Sequence, residues 1–421
     1  MKRMMILSLF TSVCLSVYGQ EITQQRVTLQ EAEQCFMTNN LQLLAAHYEI
    51  SKADAAIVQA KLFENPVISF EQNVYNRLNG RYFDFGKDGQ TAVELEQLIY
   101  IAGQYKNRIK LEKANKEIAQ YQFEEVVRTL RSELKKDFIR LFYAIQSQQI
   151  YETEISSLAK VIETVGQQQE QGNISLLERT RLEALLLSLQ KEKNELSSQI
   201  IDLQAAVKLL MGIPTDQPLI PFLNESFLPS VDLKRIPFSD LLEFMQVRPD
   251  IKLAEAQIQT SVANQKLQKS LAFPEVSIKG TYDKAGNFIN NYWAIGVNVS
   301  IPIFNRNQGN IKAARFAVEQ SHKQEEQARR EAENELFSTY SRLDKALELY
   351  KKTNWELTDR LSEIIRGVNQ NFLKRNISLL EFIDYYNSYK EIYLQMNQIK
   401  QDLFLAVEDI NIVTDHNVFV Y

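Results

Sequence analysis

The sequence predicts a mainly α-helical chain with a transmembrane β part, written twice as a helix-strand-strand-helix unit. Three observations carry that prediction: few turn-forming residues, a long internal repeat, and an apolar period that switches between helical and strand values inside each unit. The chain has 13 Gly and 9 Pro in 421 residues, about 5% where roughly 12% is usual, so its elements are long. With 45% hydrophobic and 24% charged residues it can bury a core. A net charge of −5 offers no basic face for phosphate neutralisation, which excludes a nucleic-acid partner. Two Cys and three His without metal-ligand spacing exclude a disulfide scaffold or a zinc array, and no cofactor or metal site is expected.

Taken in order, Lys2 and Arg3 precede an apolar stretch from Met4 to Tyr18 with small residues near Gly19, the layout of a secretory signal peptide over 1–19. Cys14 falls in the removed piece, and Thr11-Ser12-Val13 lacks the small residue expected before a lipidated cysteine. Cys35 is then the one exported thiol, expected as a small apolar helix residue. The first repeat covers 28–211, with strands near 66–76 and 91–101. From Gln104 to Gln171 there is no proline and only Gly166 weakens the helix, so the segment can extend on the order of 100 Å. Its apolar residues Val127, Leu130, Leu134, Phe138, Leu141 and Ile145 follow coiled-coil spacing. The chain turns at Gly172-Asn173 and returns as an amphipathic helix to Met211, ended by Gly212 and Pro214. Residues 212–238 hold five of the nine prolines and read as an extended linker rather than an element. The second repeat covers 239–414, with strands near 274–283 and 292–303. It makes the same helical hairpin, turning near Lys374-Arg375-Asn376, and leaves a tail at 415–421.

The repeat is explicit. Asn173-Ile174-Ser175-Leu176-Leu177-Glu178 returns letter for letter as Asn376-Ile377-Ser378-Leu379-Leu380-Glu381, and Asn65-Pro66-Val67 has its counterpart at Phe273-Pro274-Glu275. In the strands the period is two: Trp293, Ile295, Val297, Val299 and Ile301 alternate with small or polar residues, as do Val276, Ile278 and Tyr282. Strands of roughly ten residues cross a bilayer when tilted. Tyr75, Tyr82, Phe83, Phe85, Tyr282, Phe288, Tyr292 and Trp293 gather at their loop ends like an interfacial girdle. A soluble hairpin packed on helices would alternate in the same way. No run of 18 apolar residues follows the leader, so any span must be β. Four strands cannot close a barrel, and an open edge in lipid is costly, so the chain must oligomerise: two copies give eight strands, three give twelve. The polar set Glu71, Glu94, Glu96, Lys279, Asp283 and Asn298 suits a watered lumen.

The duplicated plan, the proline at each strand entry (Pro66, Pro274) and the stretch from Ile301 to Ile311, Ile-Pro-Ile-Phe-Asn-Arg-Asn-Gln-Gly-Asn-Ile, together resemble the TolC-like outer membrane efflux proteins over essentially the whole exported chain. The Pro302 to Asn310 segment is similar to the branch serving heavy-metal pumps of the CzcC and CusC type. The first repeat departs from it, with Ile99-Tyr100-Ile101-Ala102-Gly103 in its place. The resemblance implies a homotrimer in which a twelve-stranded outer-membrane β-barrel continues into a helical barrel across the periplasm, met there by a periplasmic adaptor and an inner-membrane pump. A passive duct needs no chemistry, and the sequence offers no phosphate loop, nucleophile elbow or H-E-x-x-H motif; His47, His322 and His416 are scattered. A duct does need a closure and a docking surface. Glu381 and Asp384 lie three apart on one helical face, where the resemblance places an acidic ring at the closed entrance; a solvated helix face is the plain alternative. Asn173, Ile174, Ser175, Leu176, Leu177, Lys374, Arg375, Asn376, Ile377, Ser378, Leu379 and Leu380 form the two tips expected to meet the adaptor, unless the leucines only pack helix on helix. Multidrug efflux, type I secretion, a non-conducting periplasmic coiled-coil protein and an exported enzyme are the competing readings.

Overall fold

A computed structural model describes residues 26–172, 174–233, 236–285 and 289–421. The expected leader at 1–19, Asn173 and Phe288 lie outside the described residues. The first repeat runs β1 (Arg26–Thr28), α1 (Leu29–Asn39), α2 (Leu41–Ala60), β2 (Val67–Gln72), β3 (Tyr75–Asn76), β4 (Arg81–Tyr82), β5 (Thr91–Ile99), α3 (Gln104–Glu170) and α4 (Leu176–Met211). After β6 (Ile220–Phe222) the second runs α5 (Phe238–Met245), α6 (Pro249–Ser270), β7 (Glu275–Ala285), β8 (Asn290–Ser300), α7 (Gln308–Lys352), α8 (Glu356–Leu373) and α9 (Leu379–Thr414).

The absence of proline from 104 to 171 lets α3 run unbroken for 67 residues, about 100 Å at the helical rise. It lies along α2, α4, α6 and α9. The second rod differs from the continuous one expected: α7 stops at Lys352 and α8 restarts at Glu356. No Gly or Pro marks the break. Thr353 turns to extended backbone, its hydroxyl donates to the Leu349 carbonyl at 2.8 Å, and the Trp355 indole N–H donates to the Tyr350 carbonyl at 3.1 Å, so side chains satisfy groups the helix releases.

Two apolar cores hold the rods. One gathers Phe36 from α1, Leu134 to Tyr143 from α3, Val207 and Leu210 from α4, Leu241 from α5, Leu336 and Leu343 from α7, and Leu403 to Val413 from α9. The other lies toward the helical turns, from Tyr151 to Val165 in α3, Leu182 and Leu189 in α4, Val368 and Phe372 in α8, and Leu379 to Tyr386 in α9. Within the first core a buried ion pair links Lys135 to Glu408 at 3.2 Å, and the Tyr421 hydroxyl donates to Glu408 at 2.7 Å, which fastens the tail 415–421 to α9.

Residues 212–238 correct the expectation of a linker without an element. They contain β6, which pairs in parallel with β1, and a 3-10 turn at Glu225–Ser230. Leu219, Leu223, Leu228, Val231 and Leu233 between the prolines are buried in the first core, and Pro221 is tolerated because its strand belongs to a sheet of only two. The four long strands fall at 67–72, 91–99, 275–285 and 290–300; the first is shorter than expected, because the chain leaves it to form the small β3–β4 hairpin.

Candidate functional site

The long strands form one antiparallel sheet in the order β2-β5-β7-β8. Register decides which side chains share a face, since residues directly opposite in neighbouring strands point the same way. Phe70, Val93, Tyr282 and Trp293 make one cross-strand row, and Ile68, Leu95, Gly280 and Ile295 the next. This face is apolar yet uncovered within the chain: Trp293 is 76% exposed and Ile295 87%.

The opposite rows are Glu71, Ala92, Asp283, Tyr292; Ser69, Glu94, Thr281, Ala294; Val67, Glu96, Lys279, Gly296; and Leu98, Ser277, Asn298. All six residues singled out as a polar set therefore share one face. Lys279 pairs with Glu94 at 2.5 Å, and the Ser277 hydroxyl donates to Glu96. Asp283 accepts from the Gln90 amide at 3.4 Å and from the Ala285 N–H at 3.2 Å. The outer edges of β2 and β8 have no strand partner among the described residues. No described helix is long and apolar enough to cross a membrane, which says nothing against a β span.

Below the sheet, the Asn305 to Asn310 segment is a strand-to-helix turn. Asn307 adopts the left-handed region, with φ of 56°, and its amide donates to the Gln268 carbonyl at 2.8 Å, while the Asn310 amide donates back to the Asn307 side-chain oxygen at 2.6 Å. Gly103 fills the corresponding left-handed position before α3. The asparagines thus do structural work at this turn.

At the other end of the rods, the six-letter repeat is a pair of helix caps. Ser175 and Ser378 each accept from the backbone N–H three residues on. Glu178 and Glu381 each reach back to accept from the serine N–H, at 3.0 and 2.8 Å. Those N–H bonds hold both carboxyls below the ordinary glutamate range, and Arg375 across the gap adds to the effect on Glu178, so the two tips sit side by side. Glu381 is therefore committed to its own helix terminus. Asp384 is exposed one turn on, as Glu381 is, on the side away from buried Phe382 and Tyr386. Leu176, Leu177 and Leu380 are exposed, whereas Leu379 is buried; Ile174 and Ile377 are half-buried against the second core; Lys374, Arg375 and Asn376 are exposed.

Sequence reasoning missed a polar seam inside the second core. Glu154 of α3 is 2% exposed, and neither carboxyl oxygen has a hydrogen-bond partner. Burial pushes its carboxyl up to about 8, with Lys390 opposing the rise and Glu192 adding to it. The signal was present: Tyr151, Glu154, Leu158, Val161 and Val165 alternate at spacings of three and four, so an acid occupies a core position of the coiled-coil stripe.

The profile of the outer membrane efflux protein family matches residues 23–213 and 243–358. The chain belongs to that family. It is an outer membrane protein and not an enzyme. The cobalt-zinc-cadmium resistance protein CzcC of Cupriavidus metallidurans is 23% identical over 292 residues, 68% of this chain and 66% of CzcC. The pyoverdine export outer membrane protein OpmQ of Pseudomonas putida is 25% identical over 205 residues, 47% of this chain and 42% of OpmQ. The matches thus span just under two thirds of CzcC and less than half of OpmQ. Among solved structures, CusC superposes with a TM-score of 0.75 at 18% identity, covering 92% of this chain and 91% of CusC. The open state of the Neisseria gonorrhoeae MtrE outer membrane channel superposes at 0.66 and 18%, covering 93% and 89%. These similarities show that sheet and rods together are the fold of this family.

Proposed function

We propose that the chain is the outer-membrane duct of a tripartite efflux pump, passively conducting substrates from a periplasmic adaptor and an inner-membrane pump to the exterior. One observation carries the reading: a sheet with an apolar, uncovered face, a polar opposite face and two open edges, continuous with helices on the order of 100 Å long. A spanning sheet with open edges is unstable in lipid, so edges of neighbouring chains must pair. Three copies give twelve strands, enough to leave a watered lumen lined by Glu71, Glu94, Glu96, Lys279, Asp283 and Asn298. The purified protein reconstituted in planar bilayers is expected to run as a heat-sensitive trimer and to carry current. A soluble monomer without current removes the duct and favours a periplasmic coiled-coil protein.

Heavy-metal cations are the proposed cargo, supported by the likeness to CzcC and by a polar sheet face on which register gathers five carboxylates, Glu71, Glu94, Glu96, Glu275 and Asp283, to one lysine, Lys279. The likeness to OpmQ keeps a different cargo in play. Growth of deletion and complemented strains on cobalt, zinc, cadmium, copper and silver salts, beside dyes, detergents and antibiotics, separates the two. Sensitivity confined to metals supports the proposal, and broad drug sensitivity replaces it with multidrug efflux.

The tips 174–177, 374–378 and 380 are the proposed adaptor contact, with Leu176, Leu177, Lys374, Arg375, Asn376 and Leu380 exposed there, and crosslinking from these positions is expected to capture a periplasmic partner. For the entrance, Asp384→Ala is expected to raise leak and weaken cation preference. Glu381→Ala should do so only through loss of its cap, with a fall in helix stability that Asp384→Ala lacks. Equal leak from the two without that fall restores Glu381 to the entrance itself.

A further inference from the structure

Where the two hairpins meet, the second core is crossed by polar groups from four helices. From α3 come Tyr151, Glu154 and Ser157. Ser157 accepts from the Asn369 amide of α8 at 2.8 Å and from the Tyr386 hydroxyl of α9 at 3.1 Å. From α4, Glu192 accepts from the Tyr151 hydroxyl at 3.2 Å and from Lys390 of α9 at 2.8 Å. Every one of these groups has a partner except Glu154, which lies one turn from Ser157 on the same stripe, buried and unbonded.

A carboxyl enclosed this way is tolerated neutral and is costly when charged, because ionised groups without hydrogen bonds resist burial. Its charged and titratable surroundings are Tyr151 on its own helix, Glu192 on α4, and Tyr386, Tyr389 and Lys390 on α9; α8 contributes the neutral Asn369. Lys390 is the one cation acting on it among the described residues, and that ammonium already bonds Glu192. A negative Glu154 must therefore compete with Glu192 for Lys390 or reach water by parting the hairpins.

We infer that Glu154 is a proton-operated latch between the first hairpin (α3–α4) and the second (α8–α9): neutral, it lets them close over it, and deprotonated, it drives them apart. The consequence for flow rests on the duct reading, whereas the latch itself does not. The direction in pH follows from linkage. The folded group holds its proton up to about 8, while an opened, hydrated carboxyl releases it near 4.5. Opening thus becomes easier as pH rises between those values and levels off above the upper one.

The test is hydrogen exchange on the full-length protein in lipid nanodiscs, corrected for the intrinsic base-catalysed rate. Protection of 365–373 and 379–393, relative to 403–413 in the other core, is expected to fall at least about tenfold from pH 6 to pH 8 and then flatten. Glu154→Gln keeps the shape without the charge and should give a flat profile. Should that variant not fold, Lys390→Met removes the cation that opposes the rise at Glu154, and the fall should continue above pH 8. A flat profile in the native chain, or the same fall in Glu154→Gln, overturns the latch. In planar bilayers the native channel should open more often at pH 8 than at pH 6, and Glu154→Gln should not. A chain that shows the exchange step but carries no current keeps the latch and loses the duct.

Discussion

The two repeats return from their tips on helices of identical length, 36 residues in α4 and in α9, each opened by the same serine-glutamate cap. The outgoing rods differ. In the first repeat α3 is a single helix of 67 residues; in the second the same span is divided into 45 and 18 residues around Thr353 to Trp355. The difference teaches that the two copies share the caps and lengths that set the register of the hairpins, while the second carries a joint that the first lacks. Side chains hold that joint: the Trp355 ring packs 4.7 Å from Tyr350 and lies 5.7 Å from the Lys400 ammonium, which itself pairs with Glu225 at 2.8 Å.

The largest effect should come from attacking the joint. Trp355→Ala removes a half-buried ring, its bond to the Tyr350 carbonyl and its cation contact, and is expected to lower stability by about 2 kcal/mol. Exchange should rise first in 346–360. At the matching place in the first repeat, Glu152 sits within an unbroken helix in an exposed pair with Lys193, and Glu152→Ala should stay within about 0.5 kcal/mol. Equal responses from the two positions mean the break is incidental.

Next in size is the contrast between two letters of the identical motif. Leu379 is 9% exposed against the second core, whereas Leu176 is 68% exposed. Leu379→Ala is expected to cost about 2 kcal/mol, at the low end for a buried leucine because it sits at the end of the bundle. Leu176→Ala should be neutral in the isolated protein and should weaken crosslinking to an adaptor instead. Thermal melts of the purified protein check the first expectation, and photocrosslinking checks the second.

This pair shows what was legible in the sequence. Apolar period and scarcity of Gly and Pro revealed long helices, long strands and the duplication, since those features follow from local patterning. That the polar set shares one face was readable because strand alternation has a fixed period of two, and register carries Glu71, Glu94, Glu96, Lys279, Asp283 and Asn298 to one side of the sheet. The joint was not readable, because Thr353 and Asn354 are ordinary helix residues and the break is held by Trp355, a tertiary effect. Six identical letters at the tips also concealed different burial, which depends on what lies across the gap. Glu381 looked like an entrance acid; its use as a cap was implied by Ser378 three residues earlier, a signature the charge pattern overshadowed.

The caps should respond alike where the rods do not. Ser175→Ala and Ser378→Ala are each expected to destabilise the tip by about 1 kcal/mol, read as faster exchange in the first turn of α4 or α9. Both glutamates in these boxes have carboxyls held below their ordinary value of 4.5 by the serine N–H groups. Their contribution is therefore present above pH 4.5 and is lost as pH falls through the lowered value. Each serine variant keeps that N–H but loses the hydroxyl's own bond to the glutamate, 3.0 Å from Ser175 to Glu178 and 2.8 Å from Ser378 to Glu381, so its penalty should shrink when measured near pH 3; a penalty unchanged in acid would mean that this hydroxyl bond contributes nothing.

The smallest effect lies one residue before each motif, where the backbone must turn left-handed. Gly172 does so at φ of 75°, and Arg375 takes the same position in the second repeat at φ of 61°. A side chain there is strained by about 1 kcal/mol relative to glycine. Space around Gly172 is open, since a Cβ would meet nothing within 4 Å, so Gly172→Ala tests the backbone term alone and should destabilise by about that amount. Arg375→Gly should gain it back, less a few tenths of a kcal/mol for the attraction its cation exerts on Glu178. Restoring the charge without the strain is not possible at one position, so the sign of the Arg375→Gly change decides what the second repeat kept arginine for. A net gain, seen as a small rise in melting temperature, means stability was set aside for a basic group at the tip. A net loss means that the interactions of the Arg375 side chain, its attraction to Glu178 among them, hold the tip more firmly than an exposed charge ordinarily would.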